Sequence, residues 1–224
     1  MNTMLNPLGR IFRFAFHQLY NQFAFTYDKF SGIVSRGEWW TWTRAGIPFL
    51  RGTRILEIAS GSGNLHLDLY DAGYVPIGVD LSPYMLEITR RKFAARKSIV
   101  SQLVQANAKQ LPFPSNNFSS LMMTFPPGFV FDVNAMREFW RVLEPQGLLI
   151  WVDAPYLYSP DPWSRMMNAA YSVTGVCAKP GVESVWQALR NVDNGMLMQM
   201  WDWRVEAIEN PRSRIHVFLA TKRT

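Results

Sequence analysis

The stretch Arg54-Ile-Leu-Glu-Ile-Ala-Ser-Gly-Ser-Gly-Asn64 decides the fold of this chain. Ile55 to Ala59 is an apolar run without polar alternation, the pattern of a parallel strand buried on both faces. Its one exception is Glu57. Gly61 and Gly63 then let the backbone turn sharply and approach a ligand without interference from a Cβ. Leu65 to Tyr70 begins a helix, so the unsatisfied N–H groups of a helix N-terminus face the same crevice. Strand, glycine turn and helix in that order make a nucleotide-type cofactor turn.

Departures from the commonest such turn narrow the ligand. A dinucleotide fingerprint carries a third glycine three positions after the second, for close helix–strand packing, and here that place is His66. A carboxylate at Glu57 suits a cationic or hydroxyl-rich ligand better than a pyrophosphate. Val75 to Val79 reads as a second strand ending at Asp80, the interval at which doubly wound folds set a carboxylate on ribose hydroxyls. Ser82 is a good N-cap and Pro83 a good first helical residue, which predicts a helix through about Arg96. A third strand near Val100 to Gln105 ends at Asn107-Ala108, with Leu111-Pro112-Phe113 after it. A fourth, Phe118 to Thr124, leads into Phe125-Pro126-Pro127. Prolines punctuate residues 155–162, helical patterns follow at about Trp163–Val173 and Glu183–Leu197, and Asp202–Glu209 with Arg214–Thr221 reads as a closing antiparallel hairpin. The strand–helix alternation implies a parallel sheet with right-handed crossovers.

These motifs stand in the order found in the class I S-adenosylmethionine (SAM)-dependent methyltransferases, and residues 52–155 resemble that family; within them Asn134 to Asp153 resembles the family's helix, Pro-x-Gly turn (here Pro145-Gln146-Gly147) and fifth strand. The resemblance implies an α/β fold: a doubly wound, mostly parallel seven-stranded sheet of the Rossmann-like methyltransferase type, with an N-terminal helical cap. It implies SAM as cofactor, held by Glu57, Ala59, Ser60, Gly61, Gly63, Asp80, Leu81, Asn107, Ala108 and Thr124. Within that set Glu57 would serve the methionine end, Asp80 the ribose hydroxyls, and Leu81 and Ala108 the flanks of adenine. Asn107 replaces the family's usual acid, keeping a carbonyl acceptor without the charge. Upstream, Tyr20 to Asp28 followed by Ser35 to Trp42 is similar to the opening of the ubiquinone/menaquinone C-methyltransferase branch, which implies that Tyr27 helps close over the cofactor.

Composition sets the outer limits. At 224 residues the chain fits one α/β domain with additions, and 48% hydrophobic against 18% charged residues excludes a disordered chain. The surplus of 9 Trp, 15 Phe and 8 Tyr suits either an apolar ligand or a large core. The net charge of +6 is scattered and comes without zinc spacing or an RNA-binding signature, which argues for solvated surface and against a nucleic-acid partner. Cys177 is the single cysteine, so an intramolecular disulfide is excluded and a reducing cytoplasm is expected. No metal site is visible. No apolar run is long enough to span a bilayer. Leu8 to Phe25 is amphipathic, suited either to docking over the crevice or to peripheral contact with a membrane interface.

The expected organisation is therefore an N-terminal helical cap over residues 1–50 and a SAM-binding domain over 51–224, with a helical insertion at about 156–200 where an acceptor would be recognised. The expected function is methyl transfer from SAM to a small-molecule acceptor, apolar or lipid-like. Two other readings compete: an NAD(P)-dependent oxidoreductase, and a methyltransferase-like partner protein without catalysis. No side chain is assigned as a general base. Of the histidines, His66 is expected to pack or cap, and His216 to sit in an edge-region strand.

Overall fold

Every side chain of Ile55–Ile58 (β1) is buried, Glu57 included, and the sheet grows outward from this strand. The computed structural model describes Gly32 and residues 35–96, 102–126, 128–158, 161–174 and 182–223. β1 pairs in parallel with Ile77–Asp80 (β2) on one side and Phe118–Thr124 (β4) on the other. β2 carries Gln102–Gln105 (β3), and β4 carries Leu143–Val152 (β5), again in parallel. Ser213–Lys222 (β8) closes antiparallel on β5, with Trp201–Glu209 (β7) on its far side. The sheet order is β3-β2-β1-β4-β5-β8, with β7 on the outer side of β8. That is the expected mostly parallel sheet with one addition: the two-residue strand Tyr156–Leu157 (β6) pairs with Arg214 and Ser213.

Helices cover both faces because side chains alternate across each strand. On one face Leu56, Ile58, Leu121, Met123, Leu149 and Trp151 form a core with the buried side of helix Val133–Val142 (α4). On the other, Ile55, Met122, Leu148, Ile150 and Val152 meet Leu65 and Leu69 of helix Asn64–Asp71 (α2) and Trp42 of helix Trp39–Arg44 (α1). The chain after α1 lies directly on the sheet, since a Cβ on Gly46 would meet the Met122 side chain at 2.6 Å. Trp42 Nε1 donates to Ser213 Oγ at 2.9 Å, and that hydroxyl donates to Glu38 Oε2 at 2.8 Å, so the cap residues are fastened to the start of β8.

Local chemistry starts and stops these elements. Ser82 accepts from Met85 N and Pro83 stands first in helix Pro83–Ala95 (α3); Asp132 accepts from Asn134 N at 2.9 Å ahead of α4. The Pro145-Gln146-Gly147 segment is a bulge inside β5 rather than a turn before it, with Gln146 at φ +63° and the register shifting opposite Phe118–Ser120. Helices Pro162–Thr174 (α5), Val182–Asn191 (α6) and Met196–Gln199 (α7) lie between β6 and β7. The single helix expected over Glu183–Leu197 is broken at Val192–Gly195, where Asp193 and Gly195 both have positive φ. Among the described residues no helix is long and apolar enough to cross a membrane. Residues 1–31, which hold Tyr27 and the amphipathic segment, lie outside the described residues, as does Cys177.

Candidate cofactor site

The glycine turn after β1 is a left-handed bend sustained over alternate residues: φ is +57° at Ala59, +55° at Gly61 and +77° at Gly63. Ser60 N donates to Val79 O and Gly63 N to Ser60 O, each at 3.0 Å, which draws the bend against the end of β2. Gly63 cannot be larger: a Cβ there would sit 2.3 Å from Thr89 Cγ2 on α3. Thr89 Oγ1 in turn donates to Gly61 O at 2.9 Å. Ala59 is the strained member, because an L side chain in this region costs on the order of 1–2 kcal/mol.

Asp80 is buried at the end of β2 and braces both turns of the site. Its Oδ2 accepts from Gly61 N and its Oδ1 from Ser82 N, both at 2.8 Å. Leu81, next in the chain, is 64% exposed, an unusual position for a leucine at a strand end. Ser60 Oγ is buried in the glycine turn with no hydrogen-bond partner among the described residues.

Glu57 does not stand at the rim of the crevice. It is 2% exposed, faces α2, and its Oε2 lies 2.7 Å from His66 Nδ1. Burial pushes its carboxyl above the ordinary range; the hydrogen bond and charge of His66 oppose that, and the nearby Asp80 and Asp68 add to it. His66 is fully buried and packs against the rings of Tyr70 and Phe93, which also touch each other. Its bulk fits because β2 carries Gly78 opposite, where a Cβ would meet His66 Nδ1 at 2.9 Å. The small residue that a dinucleotide turn keeps on the helix has thus moved to the neighbouring strand. An interior strand glycine was the sequence signal for this close approach.

The third-strand side is built by a second polar brace. Asn107 is exposed, and its Oδ1 accepts from Lys109 N at 3.0 Å, closing a local turn. Ala108 packs at the margin of the core. Leu111 N donates to Glu138 Oε2 at 2.7 Å, while the Arg141 guanidinium donates to Phe113 O and Leu111 O. Arg141 and Glu138 also bind each other, so α4 clamps the loop after Asn107. Arg141 holds the Glu138 carboxyl below the ordinary range.

Across the crevice the boundary is aromatic. Thr124 is half-buried at the end of β4, and Phe125 follows at φ +47°, a conformation bulky residues rarely adopt. Phe125 N donates to Val152 O at 2.9 Å, and its ring meets that of Trp39 at 5.2 Å. β1 and β4 pair as far as Glu57 and Met122, and the chain leaves the two strands through left-handed residues, Ala59 and Phe125. Among the described residues no group of three or more His, Cys, Asp or Glu could hold a metal ion. His216 lies on β8, between β5 and β7, not at an edge; long-range pairing decides this.

A family described as a methyltransferase domain matches residues 56–151. A demethylmenaquinone methyltransferase of Symbiobacterium thermophilum is 35% identical over 167 residues, 70% of this chain and 63% of that protein. Its counterpart in Thermus thermophilus is 32% identical over 143 residues, 61% of this chain and 64% of that protein. The chain spans somewhat less than two thirds of each of these two relatives. Among solved structures, a phosphoethanolamine N-methyltransferase of Haemonchus contortus, in complex with phosphomonomethylethanolamine and S-adenosylhomocysteine, superposes with a TM-score of 0.60 at 15% identity, covering 83% of this chain and 53% of that one. A SAM-dependent methyltransferase of Methanosarcina mazei gives 0.55 at 19% identity, covering 79% and 95%. At such identities these likenesses speak for the fold.

Proposed function

We propose that the chain is a class I SAM-dependent methyltransferase and that it transfers a methyl group from SAM to a small, apolar, quinone-like acceptor; the methyltransferase-domain match and the demethylmenaquinone methyltransferase relatives support this reading. The observation that carries the cofactor half is the Asp80 brace, which holds the glycine turn and the start of α3 in one rigid frame. The residues fit SAM: Ser60 Oγ is an unsatisfied buried acceptor in that turn, and Leu81 offers an apolar surface beside Asp80. Glu57, Ala59, Ser60, Gly61, Gly63, Asp80, Leu81, Ala108 and Thr124 are the proposed binding set. Asn107 belongs to it through the turn it closes, since its side-chain oxygen is engaged locally.

SAM, when bound, supplies a methyl group activated by its sulfonium. The chain's own work is orientation and exclusion of water, which can supply much of the acceleration of a displacement reaction. Asp80 and the left-handed turn fix the near wall, and Phe125 on Trp39 gives the far wall an aromatic face. That face supports an apolar acceptor, as do the relatives' names. The proposed role of Leu8 to Phe25 is to cover the crevice or to reach a lipid phase where such an acceptor dissolves. Liposome flotation of the full chain and of a chain lacking residues 1–26 separates these two: flotation lost with the deletion supports the lipid role.

Calorimetry with SAM, S-adenosylhomocysteine and NADH tests the cofactor, followed by labelled SAM with demethylated quinone, phospholipid and phenolic acceptors. The expected result is binding of the first two ligands and label in the quinone. Binding of NADH alone, or label in a polar acceptor only, would overturn the corresponding half of the proposal.

A further inference from the structure

Strand β7 closes one end of the sheet, and among the described residues no strand pairs with its outer side. At 9 residues it is longer than the ordinary strand of about 5–6. Edge strands are commonly blunted by brevity, by proline or by a bulge. β7 uses none of these: Trp201-Asp-Trp-Arg-Val-Glu-Ala-Ile-Glu209 holds no proline, and its register on β8 runs unbroken from Trp201 to Glu209.

The direction of its backbone groups follows from bonds at its two ends. Asn210 N donates to Ser213 O at 2.8 Å, and Met200 O accepts from Arg223 N at 3.1 Å, so Asn210 and Met200 turn toward β8. In an antiparallel ladder this direction alternates from residue to residue. Asp202, Arg204, Glu206 and Ile208 therefore bond to β8, while Trp201, Trp203, Val205, Ala207 and Glu209 turn N–H and C=O outward. The other side of β8 agrees: Asp153 N donates to His216 O at 2.9 Å, which gives His216 and its alternate neighbours to β5 and the residues between them to β7.

We propose that this edge is a self-pairing surface, at which two copies of the chain join by antiparallel pairing of β7 with β7 about a two-fold axis at Val205. At that register every outward-facing residue meets an outward-facing one: Val205 meets Val205 of the second copy, Trp203 meets Ala207, and Trp201 meets Glu209.

Charge selects the register. Arg204 is exposed and Glu206 half-buried, on the same face of the strand, and among the described residues neither makes an ion pair. The axis at Val205 sets Arg204 of each copy opposite Glu206 of the other, twice over. An axis at Arg204 would oppose that residue to itself and Asp202 to Glu206, and an axis at Glu206 would oppose two glutamates. Axes at Trp203 or Ala207 leave nearly half of the strand unpaired. Opposite charges across a strand pair stabilise it and like charges weaken it. On the other face the bulk of Trp203 stands across from Ala207, the smallest side chain of the strand. The join lies beyond β5 and β8 from the glycine turn, so it leaves both cofactor crevices clear.

Sedimentation velocity of the full chain over a range of concentrations tests this for wild type, Arg204→Glu, Glu206→Arg, the double exchange and Val205→Pro. Wild type is expected to dimerise. Each single exchange opposes like charges at both places and is expected to raise the dimer dissociation constant about tenfold. The double exchange restores opposite charges and is expected to return to the wild-type value. An equimolar mixture of the two single variants is expected to form a heterodimer, since each chain then faces the other's opposite charge. Val205→Pro removes an outward N–H without touching the ladder to β8, and is expected to be folded by circular dichroism and monomeric. A monomeric wild type overturns the proposal and leaves the edge to a strand of another protein. A dimer indifferent to the exchanges overturns it too, as does weakening that neither the double exchange nor the mixture restores. Should Val205→Pro not fold, the charge exchanges decide alone.

Discussion

The two walls of the crevice are made of different materials. At the carboxyl ends of β1 and β2 the backbone is held by directed hydrogen bonds from Asp80, Thr89 and the turn itself. At the ends of β4 and β5 the surface is set by ring contacts between Phe125 and Trp39. Hydrogen-bond geometry is narrow in distance and angle, so the first wall tolerates little change of shape. Apolar contacts are individually weak and depend on volume, so the second can be repacked at modest cost. A fixed cofactor against a variable acceptor is served well by such a division.

The comparison predicts a graded set of effects. Gly63→Ala strikes the rigid wall hardest, because it adds left-handed strain to a 2.3 Å clash with Thr89. The combined cost is roughly 2–5 kcal/mol of stability, with SAM binding abolished. A thermal melt and calorimetry would check it, and a stable mutant with normal affinity would break the contrast. Asp80→Ala comes next. It removes an acceptor from two backbone donors, one buried and one part-buried, worth about 1.5–3 kcal/mol each, so melting temperature and SAM affinity should fall together. Affinity lost without stability would mean that the brace is not structural.

On the aromatic wall, Trp39→Ala should raise the KM for a quinone acceptor several-fold and leave the dissociation constant for SAM unchanged, consistent with about 0.5–1.5 kcal/mol for a ring contact. Equal losses for both ligands would show that the walls are not independent. The smallest effect is expected of Ala59→Gly, which relieves a φ of +57°. Stability should rise by less than about 1 kcal/mol, since the added chain entropy of glycine offsets part of the gain.

Local pattern carried much of this architecture. β4 was readable end to end as Phe118–Thr124, because its residues are apolar or small and the strand is buried on both faces. The hairpin of β7 and β8 was readable from its turn residues. β6 was not, as two residues beside prolines carry no periodicity and owe their state to pairing with Ser213 and Arg214. The inner position of His216 was hidden for the same reason, being set by partners distant in sequence. At the site, spacing pointed to Glu57, Asp80 and the glycines but not to what they touch. That Glu57 turns toward His66, and that Gly78 makes the space, are facts of neighbouring strands and helices, which a linear motif does not record.

The place of β8 in the sheet has a consequence for how the chain is made. A ribosome delivers β5 long before β8, yet Leu148 to Val152 finds its second neighbour only in Val217 to Thr221. Trp42 waits longer still, for a hydroxyl 171 positions downstream. Until those residues emerge, the nascent chain displays a bare, strongly apolar strand edge, the kind that recruits other chains. Closure over so long a separation is also intrinsically slow. Expression at low temperature or with a chaperone that shields strand edges should therefore raise the soluble yield more than any change to the glycine turn.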